Sequence, residues 1–267
     1  MRKLYQYKFI FQLAIIGLFA GCSGEWYAQK AINKGVSIGQ FQEMTSTEEE
    51  AIEDDSDFTV LFDGTSTEGW RGYGMEKMPT RWKIVDGALY LPGSGRGEAG
   101  AEDGGDILYD KKFKNFHLKL SWKIGKGGNS GIFYLGQESP EYEAIWQTAP
   151  EMQVLDKGHI DWNLGKDGNR RAGSLYDLIP AVPQNANPGG EWNTVEIIVY
   201  NGTVIHKQNG VQVLEYHLWT EKWDEMIAGS KFPEYNENWH KVASEGYIGL
   251  QDHGDDVWYK DIRIKEL

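Results

Sequence analysis

Residues 192–216 read WNTVEIIVYNGTVIHKQNGVQVLEY, which is three runs of alternating apolar and polar residues separated by two Asn-Gly pairs. Alternation with a period of two is typical of strands that bury one face. Asn-Gly between two such runs favours a tight hairpin turn, since both residues accept a positive φ. We therefore predict a three-stranded antiparallel meander that turns at Asn201-Gly202 and Asn209-Gly210. His206 lies in the middle strand, and we expect it to be exposed or hydrogen-bonded as a structural residue.

The same pattern extends in both directions along the chain. Further strand-like runs occur at residues 58–62, 116–124 and 257–264, and a hairpin is predicted around Asp86-Gly87. Residues 221–242 lack strand alternation and are predicted to hold one short helix. Many short strands joined by glycine-rich turns predict an all-β fold, namely a sandwich or jelly roll of two antiparallel sheets.

The composition of the 267-residue chain suits one all-β domain with a substantial core, because 40% of the residues are hydrophobic. A formal net charge of −13 argues against a nucleic-acid partner, whose phosphates require basic patches. The charge favours neutral ligands or cations such as metal ions. The 11 Trp and 14 Tyr residues supply flat apolar surfaces that stack on sugar rings or pack in a sandwich core.

Residues 1–22 resemble the signal peptide of a bacterial lipoprotein. A basic start at Arg2 and Lys3 precedes a short apolar run, and small residues lead to Cys22, the single cysteine of the chain. The apolar run is shorter than the roughly 20 residues that a membrane-spanning helix requires. We therefore expect cleavage before Cys22 and lipidation of its thiol, with the polar, acidic residues 23–57 as a tether. The folded domain at residues 58–267 would then lie in the periplasm or on the outer-membrane surface.

The stretch EMQVLD, residues 151–156, is predicted to be a strand with two different faces. Successive side chains of a strand point to opposite sides of the sheet. Met152 and Val154 therefore face a core, while Glu151 and Gln153 face the opposite side together. Residues 129–135 read as a neighbouring strand, and residues 248–255 as a late strand that ends in an acidic and imidazole cluster. We expect the three stretches to converge on one sugar-sized groove.

Eight short motifs, taken in order, resemble the 3-keto-disaccharide hydrolase family over residues 58–267. They are LFDG from Leu61, GW from Gly69, NSGIF from Asn129, EMQVLD from Glu151, GSLYD from Gly173, EWN from Glu191, SKF from Ser230 and GLQDHG from Gly249. The resemblance implies a concanavalin A-like double-sheet jelly roll and a glycoside-hydrolase-like activity. It also implies a carbohydrate-degrading bacterium of the Bacteroides type, in which many members of the family are lipoproteins.

The resemblance implies a sugar substrate, a 3-keto-glycoside, that carries a ketone at ring carbon 3. The hydrogen on carbon 2 is then acidic, so a base removes it, the glycosidic oxygen leaves carbon 1, and water adds back. We assign His253 as the base, since imidazole titrates near neutral pH. Glu151 is assigned as the acid or a second base, and Lys231 as the positive charge near the enolate oxygen.

Four further residues are predicted to bind the sugar. Gln153 and Tyr176 are expected to hydrogen-bond its hydroxyl groups. Asp156 and Asp252 are expected to contact it as well, although each also stands where a carboxylate caps a turn. Asp252 or Asp255 would in addition orient the neighbouring imidazole.

Three alternatives stay open on the sequence. A divalent metal held by Asp252, His253 and Glu151 would be another source of positive charge. An ordinary glycoside hydrolase would pair Glu151 with Asp252 or Asp156, at about 5 to 5.5 Å or about 6.5 to 9.5 Å between the two carboxylates. A noncatalytic carbohydrate-binding lipoprotein would use the same fold without chemistry. Turnover of a 3-keto-glycoside separates the enzyme from the binding protein.

Overall fold

The computed structural model describes residues 55–95, 103–159 and 164–267. Residues 57–267 form one compact unit. The predicted signal peptide, the lipidation site at Cys22 and nearly all of the predicted tether lie outside the described residues. None of the helices in the described ranges has the length and apolar character that crossing a bilayer requires.

The larger of two antiparallel sheets has eight strands. They are β1 (Thr59–Phe62), β3 (Lys83–Val85), β4 (Ala88–Leu91), β6 (Phe116–Ile124), β9 (Asn193–Tyr200), β10 (Thr203–Gln208), β11 (Val211–His217) and β13 (Val257–Glu266). Their order is β11-β10-β9-β6-β13-β4-β3, and β1 pairs with β13 beside this path. The sheet contains the predicted meander as β9, β10 and β11.

The smaller sheet has five strands and carries the candidate site. They are β2 (Trp70–Gly72), β5 (Ile107–Tyr109), β7 (Asn129–Gly136), β8 (Glu151–Leu155) and β12 (Tyr247–Leu250). Their order is β2-β5-β12-β7-β8, so β7 has β12 on one side and β8 on the other. The three stretches expected to converge are therefore neighbours. The two stacked sheets confirm the predicted all-β jelly-roll sandwich.

The hairpin turns follow from the residues that the sequence places there. Both turn residues lie in the left-handed region, with φ of 48° and 83° at Asn201-Gly202 and of 49° and 77° at Asn209-Gly210. Asp86-Gly87 repeats this geometry with φ of 50° and 74° between β3 and β4. Positive φ at both central positions characterises the type I′ turn, whose twist matches that of the flanking strands.

The core lies between the two sheets. Trp122 and Tyr259 of the larger sheet are fully buried, as are Met152 and Val154 of the smaller sheet. Alternation along β8 then directs Glu151 to the outer face of the smaller sheet, away from this core.

Residues 221–242 hold two helices where one was predicted. They are α1 (Glu221–Ala228) and α2 (Phe232–Tyr235), and three short 3-10 segments lie elsewhere at Asp55–Asp57, Ile145–Gln147 and Lys166–Gly168. The Thr220 hydroxyl caps α1 by accepting from the Trp223 amide at 3.2 Å. The predicted short helix is present as α1, whereas the four residues of α2 are too few to leave a 3.6-residue pattern in the sequence and were not predicted.

A buried hydrogen-bond chain crosses the core from the larger sheet to the smaller one. His206 Nδ1 lies 3.0 Å from the carbonyl oxygen of Gly173, which only accepts, so this nitrogen carries the hydrogen. Burial lowers the pKa of His206 to about 4, so the ring is neutral and Nε2 accepts from the Tyr134 hydroxyl at 2.8 Å. The Tyr134 oxygen in turn accepts from Tyr216 at 2.7 Å. His206 is thus a hydrogen-bonded structural histidine, as predicted, and it anchors the backbone at Gly173.

Candidate active site

Glu151 stands at the start of β8, on the outer face of the smaller sheet. Phe133 of β7 is its register partner, and Gly131 pairs with Gln153 two residues further along each strand. The residue is 7% exposed. Antiparallel pairing with β7 therefore fixes the carboxylate at a shielded place on the sheet surface.

Gly131 makes room for this carboxylate. A Cβ atom added at Gly131 would lie 2.7 Å from Cδ of Glu151 and 2.9 Å from its Cγ, well inside van der Waals contact. The Glu151 side chain thus lies flat across β7 on the surface of the glycine. The glycine of the NSGIF motif is explained by this contact.

Residues 173–176, which we call the flanking segment, pair with the free side of β8. Gly173 donates to the Gln153 carbonyl at 2.9 Å, Gln153 donates to Ser174 at 3.0 Å, and Tyr176 donates to the Glu151 carbonyl at 3.0 Å. The φ of 85° at Gly173 lets the chain enter this pairing. The motifs EMQVLD and GSLYD are therefore two sides of one ladder, which brings Tyr176 next to Glu151.

The SKF motif places Lys231 between the two helices. The Ser230 hydroxyl donates to the Ile227 carbonyl at 2.7 Å and accepts from the Phe232 amide at 3.2 Å. The Phe232 ring stacks on Trp239 with centroids 4.1 Å apart. With both neighbours fixed in this way, the Lys231 side chain extends into the cavity beside β8.

Lys231 is paired with Tyr176 of the flanking segment and with Asp177, the residue that follows it. Its ammonium lies 3.1 Å from the Tyr176 hydroxyl and 3.5 Å from a carboxylate oxygen of Asp177. Partial burial acts to lower the pKa of Lys231, but the hydrogen bond to Tyr176 and the negative charge of Asp177 outweigh burial and raise it above the usual value. Lys231 is therefore a fixed cation and not a base.

His253 reaches the same cavity from the turn that follows β12. Asp252 shapes this turn, because its carboxylate accepts from the amides of Gly254 at 3.0 Å and Gly105 at 2.8 Å. The Gln251 amide donates to the Gly131 carbonyl at 3.0 Å and continues the pairing with β7. The turn thus directs His253 to the side of the sheet that carries Glu151.

These side chains line one cavity of about 420 Å³. Its walls are Trp146, Ala149, Glu151, Leu175, Tyr176, Lys231, Phe232, Tyr235, Trp239 and His253. Flat aromatic faces next to a carboxylate, an ammonium, a phenol and an imidazole suit a sugar, whose ring faces are apolar and whose edge carries hydroxyl groups. The cavity therefore brings together the predicted catalytic residues Glu151, His253 and Lys231 and the predicted sugar-binding residue Tyr176.

Three other predicted sugar-binding residues are not among the cavity walls. The Asp156 carboxylate accepts from the amides of Gly127 at 2.7 Å, Gly158 at 3.0 Å and Gly189 at 2.6 Å. Asp252 holds its own turn in the same way. Gln153 is 2% exposed and donates to the Asn129 side chain at 3.0 Å. Their geometry gives the predicted contact with substrate no support, and the two aspartates act as turn caps.

The predicted metal ligands do not form a cluster. Within the described ranges, no group of three His, Cys, Asp or Glu side chains is arranged to hold a metal ion. Asp252, one of the three predicted ligands, has a backbone amide on each carboxylate oxygen. Glu151 and His253 line the cavity, whereas Asp252 is not among its walls.

The aromatic walls were not predicted from the sequence. Trp146 meets Tyr235 edge to face, with ring centroids 4.9 Å apart, and its carbonyl accepts from the Trp239 indole at 3.0 Å. The tryptophan and tyrosine content indicated stacking surfaces, but no local pattern separates these rings from the core aromatics. Asp177, which joins Lys231 to Arg170 through a 2.6 Å contact with the guanidinium, was missed as well.

Comparison with known proteins agrees with this site. Residues 57–265 match the family model described as a 3-keto-alpha-glucoside-1,2-lyase-like domain. A protein named 3-keto-disaccharide hydrolase, from Bacteroides thetaiotaomicron, is 46% identical over 275 residues, which cover 94% of this chain and 95% of that protein.

Two crystal structures from Parabacteroides distasonis, each of a candidate glycosyl hydrolase, share the fold. The first has a TM-score of 0.68 at 30% identity and covers 79% of this chain and 94% of its own. The second has a TM-score of 0.61 at 24% identity, with 79% and 99% covered, and supports the fold alone. Because the family model spans most of the chain and the Bacteroides relative is similar over nearly its whole length, this protein belongs to the family of 3-keto-alpha-glucoside-1,2-lyase-like domains, as its motifs predict.

Proposed function

We propose that the cavity cleaves the glycosidic bond of 3-keto-glycosides by elimination followed by hydration. The observation that carries this proposal is that Glu151, His253, Lys231 and Tyr176 line one aromatic-walled cavity. The name of the Bacteroides relative and the description of the family model support a sugar with a ketone at carbon 3.

The reaction begins when a base, His253 or Glu151, removes the hydrogen from carbon 2. The electron pair moves into the ketone and gives an enolate. As the ketone reforms, carbon 1 and carbon 2 become doubly bonded and the bond from carbon 1 to the glycosidic oxygen breaks. The departing oxygen keeps that electron pair and takes a proton. Water then adds its hydroxyl group to carbon 1, and carbon 2 regains a proton from the base after exchange with solvent, so the overall reaction is hydrolysis.

The charges of the cavity suit this route. The raised pKa of Lys231 keeps its ammonium positive at neutral pH, and a fixed cation in a shielded cavity stabilises negative charge that develops during the reaction. The surrounding rings keep water away from the reacting carbons and hold the sugar by stacking. The aromatic walls therefore contribute binding, while the polar groups contribute chemistry.

The two-carboxylate hydrolase is less well supported by the same geometry. Within the described part of the chain, Glu151 is the one carboxylate among the cavity walls. Its predicted partners Asp156 and Asp252 accept hydrogen bonds from backbone amides instead. Retaining and inverting hydrolases both need a second carboxylate at a defined distance from the first.

Isotope incorporation tests the proposal. Elimination in heavy water is expected to place deuterium at carbon 2 of the product, because that carbon is reprotonated by solvent. His253→Ala and Glu151→Gln are each expected to lower turnover at least about a hundredfold with little change in the melting temperature. Product without deuterium at carbon 2, after correction for spontaneous exchange, would show direct displacement, and sugar binding without any product would show a lectin.

We also propose that the chain is a lipoprotein of the cell envelope. The support is the sequence of residues 1–22, in which a basic start, an apolar run and small residues precede Cys22. Wild-type protein should take up radioactive palmitate, whereas Cys22→Ser should remain uncleaved and unlabelled. Label on the variant would refute the anchor.

A further inference from the structure

We infer that Tyr176 is the acid that protonates the departing glycosidic oxygen, and that Lys231 positions its hydroxyl group for this step. The inference rests on the proposed elimination, which needs a proton donor for the leaving group, and Tyr176 replaces Glu151, which was assigned from the sequence as that acid or as a second base. Glu151 and His253 are the candidates for removing the carbon 2 hydrogen. Tyr176 also lines this cavity, and its hydroxyl group can donate a proton.

The direction of the Tyr176 hydroxyl follows from its partner. The Lys231 ammonium lies 3.1 Å from the phenol oxygen. An ammonium has donors and no acceptor, so the phenol oxygen accepts from Lys231 and its own hydrogen points elsewhere. Within the described residues, Lys231 is the hydrogen-bond partner of this oxygen. The phenol hydrogen is therefore available to a molecule bound in the cavity.

Two cations lie near the Tyr176 ring. The Lys231 nitrogen lies 4.5 Å from the centroid of the Tyr176 ring, and the Arg170 guanidinium lies 5.8 Å from it. The Lys231 ammonium also lies at hydrogen-bond distance from the phenol oxygen, at 3.1 Å. Lys231 and Arg170 therefore fix the position of the Tyr176 ring in the cavity.

Asp177 holds the two cations in place. Its carboxylate contacts Arg170 Nε at 2.6 Å and the Lys231 ammonium at 3.5 Å. The side chain of Asp177 is 14% exposed, so this bridge is shielded from water. The backbone of Tyr176 is fixed separately, through its 3.0 Å hydrogen bond to the Glu151 carbonyl. The candidate acid is thus tied to the strand that carries Glu151.

The proton balance of the step is complete. As the bond between carbon 1 and oxygen breaks, its electron pair stays on the oxygen, which takes the phenol proton. The Tyr176 phenolate is then neutralised by the water that adds to carbon 1, since that water gives its hydroxyl group to carbon 1 and its proton to the phenolate. The protonated base, after exchange with solvent, returns a proton to carbon 2. In this protonation step Lys231 acts on the leaving group only through the Tyr176 hydroxyl group and is a positioning residue.

Two substrates with different leaving groups provide the test. A 3-keto-disaccharide releases an alcohol, which needs a proton, whereas a 4-nitrophenyl 3-keto-glucoside releases a stable phenolate, which needs none. Tyr176→Phe is expected to lower kcat at least about a hundredfold with the disaccharide and to lower kcat with the nitrophenyl substrate by a factor at least about ten times smaller. The variant keeps the aromatic ring, so the packing of the ring and its cation–π contact with the Lys231 ammonium remain.

Lys231→Met should lower kcat more with the disaccharide than with the nitrophenyl substrate, and Lys231→Arg should recover part of the disaccharide activity. Equal losses with both substrates, or no loss with the disaccharide, would overturn the inference. In Tyr176→Phe, unreacted substrate should still gain deuterium at carbon 2 in heavy water, because the base acts without the phenol. Wild-type protein that neither exchanges this hydrogen nor cleaves either substrate would overturn the proposed function together with the inference.

Discussion

Gly131→Ala is predicted to remove most of the activity while the fold persists. The added methyl carbon would lie 2.7 Å from Cδ of Glu151, and carbon atoms in favourable contact are about 3.5 to 4 Å apart. The carboxylate must therefore move by roughly 1 Å. A displacement of about 1 Å costs on the order of a hundredfold in rate. We expect kcat/KM for a 3-keto-glycoside to fall by about that factor.

Stability should respond differently. The backbone at Gly131 is not in the left-handed region, so alanine fits its φ. Alanine also restricts the unfolded chain, which stabilises a protein by about 0.4 to 1 kcal/mol where the native conformation is compatible. We expect a melting temperature close to that of the wild type, because the clash is with the end of a flexible side chain. Gly229→Ala is the matched control, since its methyl carbon would meet no atom closer than 3.6 Å.

A double-mutant cycle gives the decisive measurement. In the Glu151→Gln background, Gly131→Ala should change kcat/KM by less than about twofold, because the group that it displaces no longer acts. Steady-state kinetics of the four proteins provide the coupling between the two sites. A hundredfold loss in both backgrounds would refute the reasoning, since the methyl group would then act through something other than Glu151.

Three further outcomes are expected. Burial lowers the pKa of His206 from 6.5 to about 4. Between pH 6.5 and pH 4 the unfolded state therefore binds more protons than the folded state. The free energy of unfolding should fall by about 3 kcal/mol as the pH drops across this range. Urea unfolding should show a smaller drop in His206→Gln. Asp156→Ala should lower the unfolding free energy by about 3 kcal/mol, since three backbone amides lose a charged acceptor. Its kcat, measured well below the melting temperature, should stay unchanged. A lower kcat in the folded variant would show that Asp156 takes part in the active site. Trp146→Ala should raise KM about tenfold through lost stacking, and a fall in kcat alone would contradict this role.

Local signals in the sequence were sufficient for the fold. Asn-Gly and Asp-Gly pairs marked three hairpins because their backbone preference is a property of those residues themselves. Alternation along residues 151–155 likewise placed Glu151 on the face of the sheet that points away from the core. The strand predicted at residues 129–135 pairs with it as β7. These predictions depended on a few consecutive residues and needed no knowledge of distant parts of the chain.

The composition of the site depended on contacts between distant segments. Asp156 is a turn cap because Gly189, which is 33 residues away in the chain, brings an amide to its carboxylate at 2.6 Å. Asp252 meets Gly105 across a separation of 147 residues. Trp146 and Tyr235 become cavity walls only after the helices pack on the 3-10 segment at Ile145–Gln147. No pattern in neighbouring residues carries this information.

The flanking segment also protects the protein from self-association. β8 ends the smaller sheet, and a strand in that position presents amides and carbonyls that pair readily with another chain. Residues 173–176 occupy those groups within the same molecule. Detaching the segment would expose a fully buried strand, EMQVL, as a template for intermolecular β-pairing. The residues that build one wall of the cavity therefore also cover the edge of the smaller sheet, and substitutions that loosen Gly173 are expected to cause aggregation.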